Sequence, residues 1–161
     1  MSNDRKEFSQ TVPLPDLAAT DALGARIAAG VGLGDTVALE GDLGAGKTTL
    51  ARAILRALGV TGAVPSPTFT LVQHYDTARL PVSHYDLYRI EQAEELDELG
   101  LEEAQANGAV LIEWAERAGD RLPPDALHVR LAQNIQQQRV ATLSGPAHWA
   151  PALSENAFHA G

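Results

Sequence analysis

The hydrophobic positions of this chain follow two patterns. One is the spacing typical of helices, and the other is the continuous run typical of buried strands. Apolar residues recur at helical spacing over residues 17–29, which Asp16 can cap, and over residues 49–58. Continuous apolar and β-branched runs at residues 36–40 and 109–112 predict buried strands, the second of them central and parallel. This alternation of strands and helices predicts an α/β fold.

Weaker patterns predict the margins of the same sheet. Further strands are expected at residues 8–15, 69–75, 82–85, 126–132 and 139–143. The second and third of these are close enough in sequence to form a hairpin, and so are the last two. An acidic helix over residues 91–106 is expected to break at Gly100, and residues 115–121 predict a helical turn.

These elements predict a single α/β domain over residues 1–145, with a mixed, mostly parallel sheet flanked by helices. Residues 146–161 are rich in alanine, proline and small polar residues, and we expect them to form a flexible tail. A chain of 161 residues with 45% hydrophobic residues is long enough to bury the core of one domain.

Composition narrows the classes of function. No run approaches the roughly 20 apolar residues of a membrane span, and the polar first ten residues do not have the pattern of a secretory signal. The chain has no cysteine, which suits a cytoplasmic protein. Its net charge is −9 and its lysines are Lys6 and Lys47, so tight, direct binding to RNA or DNA is not expected. Any nucleic-acid role should therefore depend on a partner.

The most specific motif lies between the strand at residues 36–40 and the helix that follows. It has the form G-x-x-x-x-G-K-[ST], the phosphate-binding P-loop of nucleoside triphosphatases. Its residues are Gly41, Asp42, Leu43, Gly44, Ala45, Gly46, Lys47 and Thr48. We expect Lys47 to reach the β- and γ-phosphates and the Thr48 hydroxyl to bind Mg²⁺. The motif predicts a P-loop NTPase-like domain.

Two acids are candidates for the magnesium side of such a site. Glu113 ends the apolar run at residues 109–112, where the carboxyl end of a parallel strand places ligands. It could instead cap the next helix. Asp86 follows the strand at residues 82–85 and could bind magnesium directly or through water, or lie at an exposed hairpin end. His84 by itself indicates a structural histidine rather than a ligand.

Two further positions have open interpretations. Thr68 lies in a hydroxyl-rich, proline-braced loop that could sense the γ-phosphate or form a plain turn. Trp114 could stack on a base, pack over the site, anchor a partner, or belong to the core.

Four blocks in order resemble the signature of the bacterial TsaE (YjeE) family. They are the P-loop with Thr49, then Ser-Pro-Thr-Phe at residues 66–69, His-Tyr-Asp-Leu-Tyr-Arg at residues 84–89, and Glu113 with Trp114. The lead-in helix and the final strands are similar in layout to that family.

The resemblance implies a small ATPase required for the threonylcarbamoyl modification of adenosine in tRNAs that read ANN codons. Such a protein acts with the TsaB–TsaD pair, of which TsaD performs the transfer, while TsaC makes the threonylcarbamoyl-adenylate donor. It meets tRNA only through that complex. ATP and Mg²⁺ are the implied cofactors.

By the same resemblance, the P-loop through Thr49, together with Thr68 and Trp114, belongs to the nucleotide site. Lys47, Asp86 and Glu113 are the catalytic candidates, and Asp86, Glu113 and Thr48 are the magnesium candidates. Which of Asp86 and Glu113 orients water stays open. No arginine finger is evident, so slow activity of the isolated chain is expected.

Three other functions fit a P-loop. A small kinase would need an acceptor pocket and usually an arginine-bearing lid, for which no arginine-rich insertion is present. A GTPase-type switch would need a guanine-reading Asn-Lys-x-Asp motif, which is absent from the sequence. A nucleotide-sensing adaptor would differ only in having no turnover.

Overall fold

The computed structural model describes residues 7–42, 44–65, 67 and 70–154. In this part of the chain seven strands form one sheet. They are β1 (Glu7–Pro13), β2 (Thr36–Glu40), β3 (Val72–Asp76), β4 (Pro81–Asp86), β5 (Ala109–Glu113), β6 (Leu127–Gln133) and β7 (Arg139–Pro146). Their spatial order is β1-β7-β6-β2-β5-β4-β3.

Short and long helices alternate with these strands. They are α1 (Leu17–Gly30), α2 (Lys47–Ala57), α3 (Glu95–Glu98), α4 (Leu101–Asn107) and α5 (Ala150–Leu153), with 3-10 segments at Ala115–Arg121 and Ala147–Trp149. Gly100 separates α3 from α4 with a left-handed φ of +72°, which confirms the predicted break. The predicted α/β fold with a mixed, helix-flanked sheet is confirmed.

Parallel pairing is confined to the centre of the sheet. Strand β2 pairs in parallel with β5 and β6, and β5 pairs in parallel with β4. Both margins are antiparallel, because β3–β4 and β6–β7 form the two predicted hairpins and β1 adds to β7. The described pairings are thus half parallel and half antiparallel, whereas the sequence predicted a mostly parallel sheet.

The central strands bury both of their faces, as a parallel sheet between helical layers requires. In β2, Val37 and Leu39 join a core that includes α1, α2 and α5, whereas Ala38 joins a second core with α3 and α4. In β5, Leu111 lies in the first core and Ile112 in the second. This alternation explains why these strands show unbroken apolar runs.

Helix α1 begins where the sequence predicts. The Asp16 side chain accepts a hydrogen bond from the Ala19 amide at 2.9 Å, which satisfies one free donor of the first turn. The helix then packs directly against α2. A Cβ atom on Gly24 would lie 2.5 Å from Cβ of Ala53, so the two helices approach closely only because residue 24 is glycine.

The start of the segment expected to form a tail packs against the core. Strand β7 continues to Pro146, and the following turns bury Trp149 and Leu153 completely or nearly so. Trp149 covers Gly30 at the end of α1, where a Cβ would come within 3.1 Å of the indole ring. These contacts, rather than local composition, order residues 147–153. Residues 155–161 lie outside the described part of the chain.

None of the helices in the described ranges has both the length and the apolar character needed to cross a bilayer.

Gly24→Ala should destabilise the fold by about 1–3 kcal/mol, because the added methyl group overfills the α1–α2 contact. Part of this cost will be offset by the helix preference of alanine. Urea unfolding measures the difference. Gly32→Ala is the control, since its new methyl group meets nothing closer than 3.7 Å. Equal stability of the two variants would contradict the packing argument.

Candidate functional site

Three parallel strands bring their carboxyl ends to one edge of the sheet. In the observed register, Leu39 of β2 and Asp86 of β4 both lie beside Glu113 of β5. The glycine loop leaves β2 at this edge and leads into α2. The topology therefore brings the P-loop and the two candidate acids together, as ligand sites in α/β sheets require.

Three glycines of the loop have a positive φ, and two of them show why glycine is required. Gly46 is the N-cap of α2 and has a φ of +106°, which other residues rarely adopt. Gly41 has a φ of +144°, and a Cβ there would lie 2.6 Å from the Leu131 carbonyl oxygen. The first turn of α2 presents free amide donors and a positive dipole end, which together favour an anion. Leu43 lies outside the described residues.

The Lys47 ammonium turns back onto its own loop. Its Nζ donates hydrogen bonds to the carbonyl oxygens of Gly41 at 2.7 Å and Asp42 at 2.8 Å. It also lies 4.0 Å from the centroid of the Trp114 ring, within the range of a cation–π contact. Burial lowers the pKa of Lys47, while nearby carboxylates, Glu113 foremost, act in the opposite direction. These contacts hold the ammonium at the phosphate-binding turn.

The Glu113 carboxylate connects three elements. One oxygen accepts a hydrogen bond from the Thr48 hydroxyl at the start of α2, at 2.7 Å. The other lies 2.7 Å from Nε2 of His84 in β4. Glu113 is 2% exposed and His84 is fully buried. Glu113 is therefore not a cap of the following turn, because its side chain points toward Thr48.

Asp86 is also buried, with 4% of its surface exposed, so it does not lie at an exposed hairpin end. Its Oδ1 accepts a hydrogen bond from the Tyr88 amide at 3.0 Å, which fixes the carboxylate at the end of β4. Its charge acts on Lys47, as that of Glu113 does. The structure thus brings Lys47, Thr48, Asp86 and Glu113 into one polar cluster.

Trp114 packs over the site and against the edge of the second core. It is half-buried and has a left-handed φ of +58°, an uncommon conformation for a large side chain. Its ring lies against that of Tyr88, with centroids 5.0 Å apart, and covers Lys47. The centroid of the Tyr88 ring in turn lies 5.9 Å from the guanidinium carbon of Arg117. The Tyr88–Trp114 pair forms one wall of the site.

A cleft of about 630 Å³ adjoins the P-loop on the side away from Glu113. It lies between the β1–α1 connection and the β6–β7 hairpin, and its floor includes Ala45, Gly46 and Thr49. This size is ordinary for a small-molecule site. Thr49 therefore faces the cleft, whereas Thr48 faces Glu113.

Three neighbouring residues have contacts that the sequence does not predict. His84 is a structural histidine, as the sequence indicates, and its partner is Glu113; its position two residues before Asp86 puts both side chains on one face of β4. Tyr88 could have been noted as an aromatic residue directly after the same strand. Arg139 lines the cleft, and no local motif marks it. Thr68 lies outside the described residues.

The strand, glycine loop and helix, with an acid at the end of the adjacent parallel strand, define a protein of the P-loop class. Comparisons with known proteins identify the family. The family described as "Threonylcarbamoyl adenosine biosynthesis protein TsaE" matches residues 14–141. The chain therefore belongs to the TsaE family.

Individual relatives support the same family. The Bacillus subtilis (strain 168) protein named tRNA threonylcarbamoyladenosine biosynthesis protein TsaE is 40% identical over 112 residues, covering 69% of this chain and 70% of the relative. A Synechocystis protein of the same name is 42% identical over 116 residues, covering 69% and 73%. The crystal structure of Bacillus subtilis YdiB matches with a TM-score of 0.77 and 30% identity, over 99% of this chain and 100% of that one.

His84→Leu should lower the free energy of unfolding by about 1–3 kcal/mol, because it leaves a buried Glu113 oxygen without its partner. Denaturant unfolding measures this loss. His74→Leu in the neighbouring strand is the matched control, since His74 is exposed and, among the described residues, its ring bonds the Ser83 hydroxyl. A loss no larger than that of the control would mean that the His84–Glu113 contact contributes little.

Proposed function

We propose that this protein is a magnesium-dependent ATPase that supports the threonylcarbamoyl modification of adenosine in tRNAs reading ANN codons. It acts with the TsaB–TsaD pair in the cytoplasm and does not perform the transfer itself. The observation that carries the proposal is the convergence of Lys47, Thr48, Asp86 and Glu113 at the P-loop of a TsaE-family chain.

The oxygen-rich cluster suits a hard divalent cation. The Thr48 hydroxyl and the Glu113 carboxylate are already 2.7 Å apart, and Asp86 lies in register beside Glu113. Hydroxyl, carboxylate and phosphate oxygens are the ligands that Mg²⁺ prefers. Within the described residues no three acidic or histidine side chains form a metal site by themselves. Thr48, Asp86 and Glu113 would therefore hold the ion together with the nucleotide, and the ion would neutralise phosphate charge.

The chain's own groups account for the remaining steps. The backbone amides of the loop and of the first turn of α2 bind phosphate oxygens. Lys47 exchanges its loop carbonyls for the β- and γ-phosphates and stabilises the charge on the transferred group. A carboxylate, Asp86 or Glu113, orients the attacking water and accepts its proton. The water oxygen bonds to the γ-phosphorus as the bond to the β–γ bridging oxygen breaks, leaving ADP and phosphate.

The acidic character of the chain supports a role through partners. The net charge of −9 disfavours direct tRNA binding, so the RNA is left to the rest of the complex. We infer that the isolated protein hydrolyses ATP slowly and that TsaB and TsaD complete the site.

Lys47→Ala should reduce ATP hydrolysis by about 100-fold or more, because it removes the cation that neutralises the transferred phosphoryl group. Phosphate release under saturating ATP and Mg²⁺ measures this. Lys6→Ala removes the chain's other lysine and serves as the charge-matched control. Normal hydrolysis by Lys47→Ala would rule out the ATPase proposal.

Glu113→Gln and Asp86→Asn separate the two roles of the acids. Each keeps the shape of the side chain and removes its charge. The variant of the magnesium-binding acid should need about tenfold more Mg²⁺ for half-maximal hydrolysis, whereas the variant of the water-orienting acid should lose turnover at unchanged Mg²⁺ demand. Mg²⁺ titration of the hydrolysis rate distinguishes them. Two fully active variants would mean that neither carboxylate has the proposed role.

Addition of TsaB and TsaD from the same source should stimulate the ATPase of the wild-type chain and not of Lys47→Ala. The physical reason is that a partner can supply a further cation beside Lys47 to stabilise the transition-state charge at the γ-phosphate. Hydrolysis rates with and without the pair measure the effect. No stimulation and no co-elution with the pair would reject the assignment to that complex.

A further inference from the structure

The sheet ends in β1 on one side and in β3 on the other. Among the described residues, β1 pairs only with β7, so the outer edge of β1 carries backbone groups without a strand partner. Such an edge can pair with a strand of another chain, and natural proteins protect it with charged side chains, short length or a covering segment. The two edges of this sheet differ in that protection.

The hydrogen bonds between β1 and β7 determine which groups of β1 face outward. The Leu14 amide donates to the Arg139 carbonyl oxygen at 2.9 Å, in continuation of the register of the two strands. Because inward and outward groups alternate along an antiparallel strand, Ser9 and Thr11 direct their N–H and C=O groups away from β7. The side-chain amide of Gln10 accordingly donates to the Thr11 carbonyl oxygen, at 3.3 Å. The donors and acceptors of Ser9 and Thr11 therefore line the outer edge.

The outer edge of β1 lacks the usual protection. The strand has seven residues, and positions 8–13 contain no charged side chain. Strand β3 is shorter, with five residues, and the hydrogen bond from the Asp86 amide to the Leu71 carbonyl oxygen sets its phase. By the same alternation, the exposed residues His74 and Asp76 occupy outward positions of β3. Ionisable side chains thus protect β3 and not β1, which makes the β1 edge suited to pairing.

We propose that the outer edge of β1 binds a second copy of this chain, with the two β1 strands antiparallel about Gln10. In that register, Ser9 of each copy lies opposite Thr11 of the other. The outward N–H and C=O groups of these residues then form paired hydrogen bonds on both sides of the twofold axis. The two sheets join into one continuous sheet. This inference goes beyond the proposed function and does not depend on ATP hydrolysis.

The side chains of β1 are self-complementary in the same register. Phe8 of one copy lies opposite Val12 of the other, and such pairs of aromatic and β-branched residues stabilise neighbouring strands. Both residues belong to the first core, so the apolar side of the sheet continues across the axis. The exposed side chains of Ser9 and Thr11 meet on the opposite face. A shift by two residues in either direction would instead place Gln10 opposite Phe8 or Val12. The sequence of β1 therefore favours a second copy as the occupant of this edge.

The test uses position 10, which lies opposite itself in this register. The wild type should form a concentration-dependent dimer in sedimentation equilibrium at about 0.3 M salt, which screens the repulsion between two chains of net charge −9. Gln10→Lys and Gln10→Glu should each weaken the dimer about tenfold or more, because like charges then face each other across the axis. An equimolar mixture of the two variants should restore association, because opposite charges then face each other.

Two further measurements separate the interface from general effects of charge and folding. Gln73→Lys and Gln73→Glu are the matched controls, since Gln73 is likewise a half-buried glutamine on an edge strand, β3. Both should leave the dimer unchanged. Thr11→Pro removes an outward N–H and no hydrogen bond to β7, so it should weaken the dimer while the circular dichroism spectrum stays that of the wild type.

Three results would overturn the inference. A wild type that stays monomeric up to about 100 μM would mean that the edge of β1 does not bind a second copy. A dimer that neither variant of Gln10 weakens would have its interface elsewhere. Failure of the mixture of Gln10→Lys and Gln10→Glu to restore association would exclude pairing about Gln10. The rate of ATP hydrolysis tests the proposed function separately, so either idea can fail alone.

Discussion

The buried Glu113 carboxylate is the contact on which the site depends. It joins Thr48 at the start of α2 to His84 in β4, and so fixes the helix after the P-loop relative to two strands. A buried carboxylate is stable only when its oxygens are hydrogen-bonded. One side chain therefore couples the geometry of the loop, the register of β4 against β5 and the balance of charges in the site.

The sequence was informative wherever the local pattern and the tertiary environment agree. The unbroken apolar run of β5 predicts a strand buried on both faces, and that is the strand that carries Glu113. The P-loop fixes its own strand and helix, because Gly46 allows the left-handed turn that no other residue would favour.

The misses have a common physical origin. His84 contacts a residue that is 29 positions away in the sequence. Arg139 approaches a glycine of the P-loop, which follows a different strand. Likewise, residues 147–153 are poor in strongly apolar positions, yet Trp149 finds a complete burial site against α1. Contacts of this kind depend on the topology of the fold. The hydrophobic periodicity and the amino-acid composition of a segment do not encode that topology.

The contacts of Lys47 have a consequence for how the site would exchange its ligand. Under the proposed function, an incoming phosphate would not meet a solvated ammonium; it would replace two loop carbonyls and share the lysine with an aromatic ring. The net gain of each new hydrogen bond is then the difference between two good partners and is small. Because the lysine has partners to return to, departure of a product of the proposed reaction would leave no unpaired buried charge, and the barrier to release would be lower for that reason.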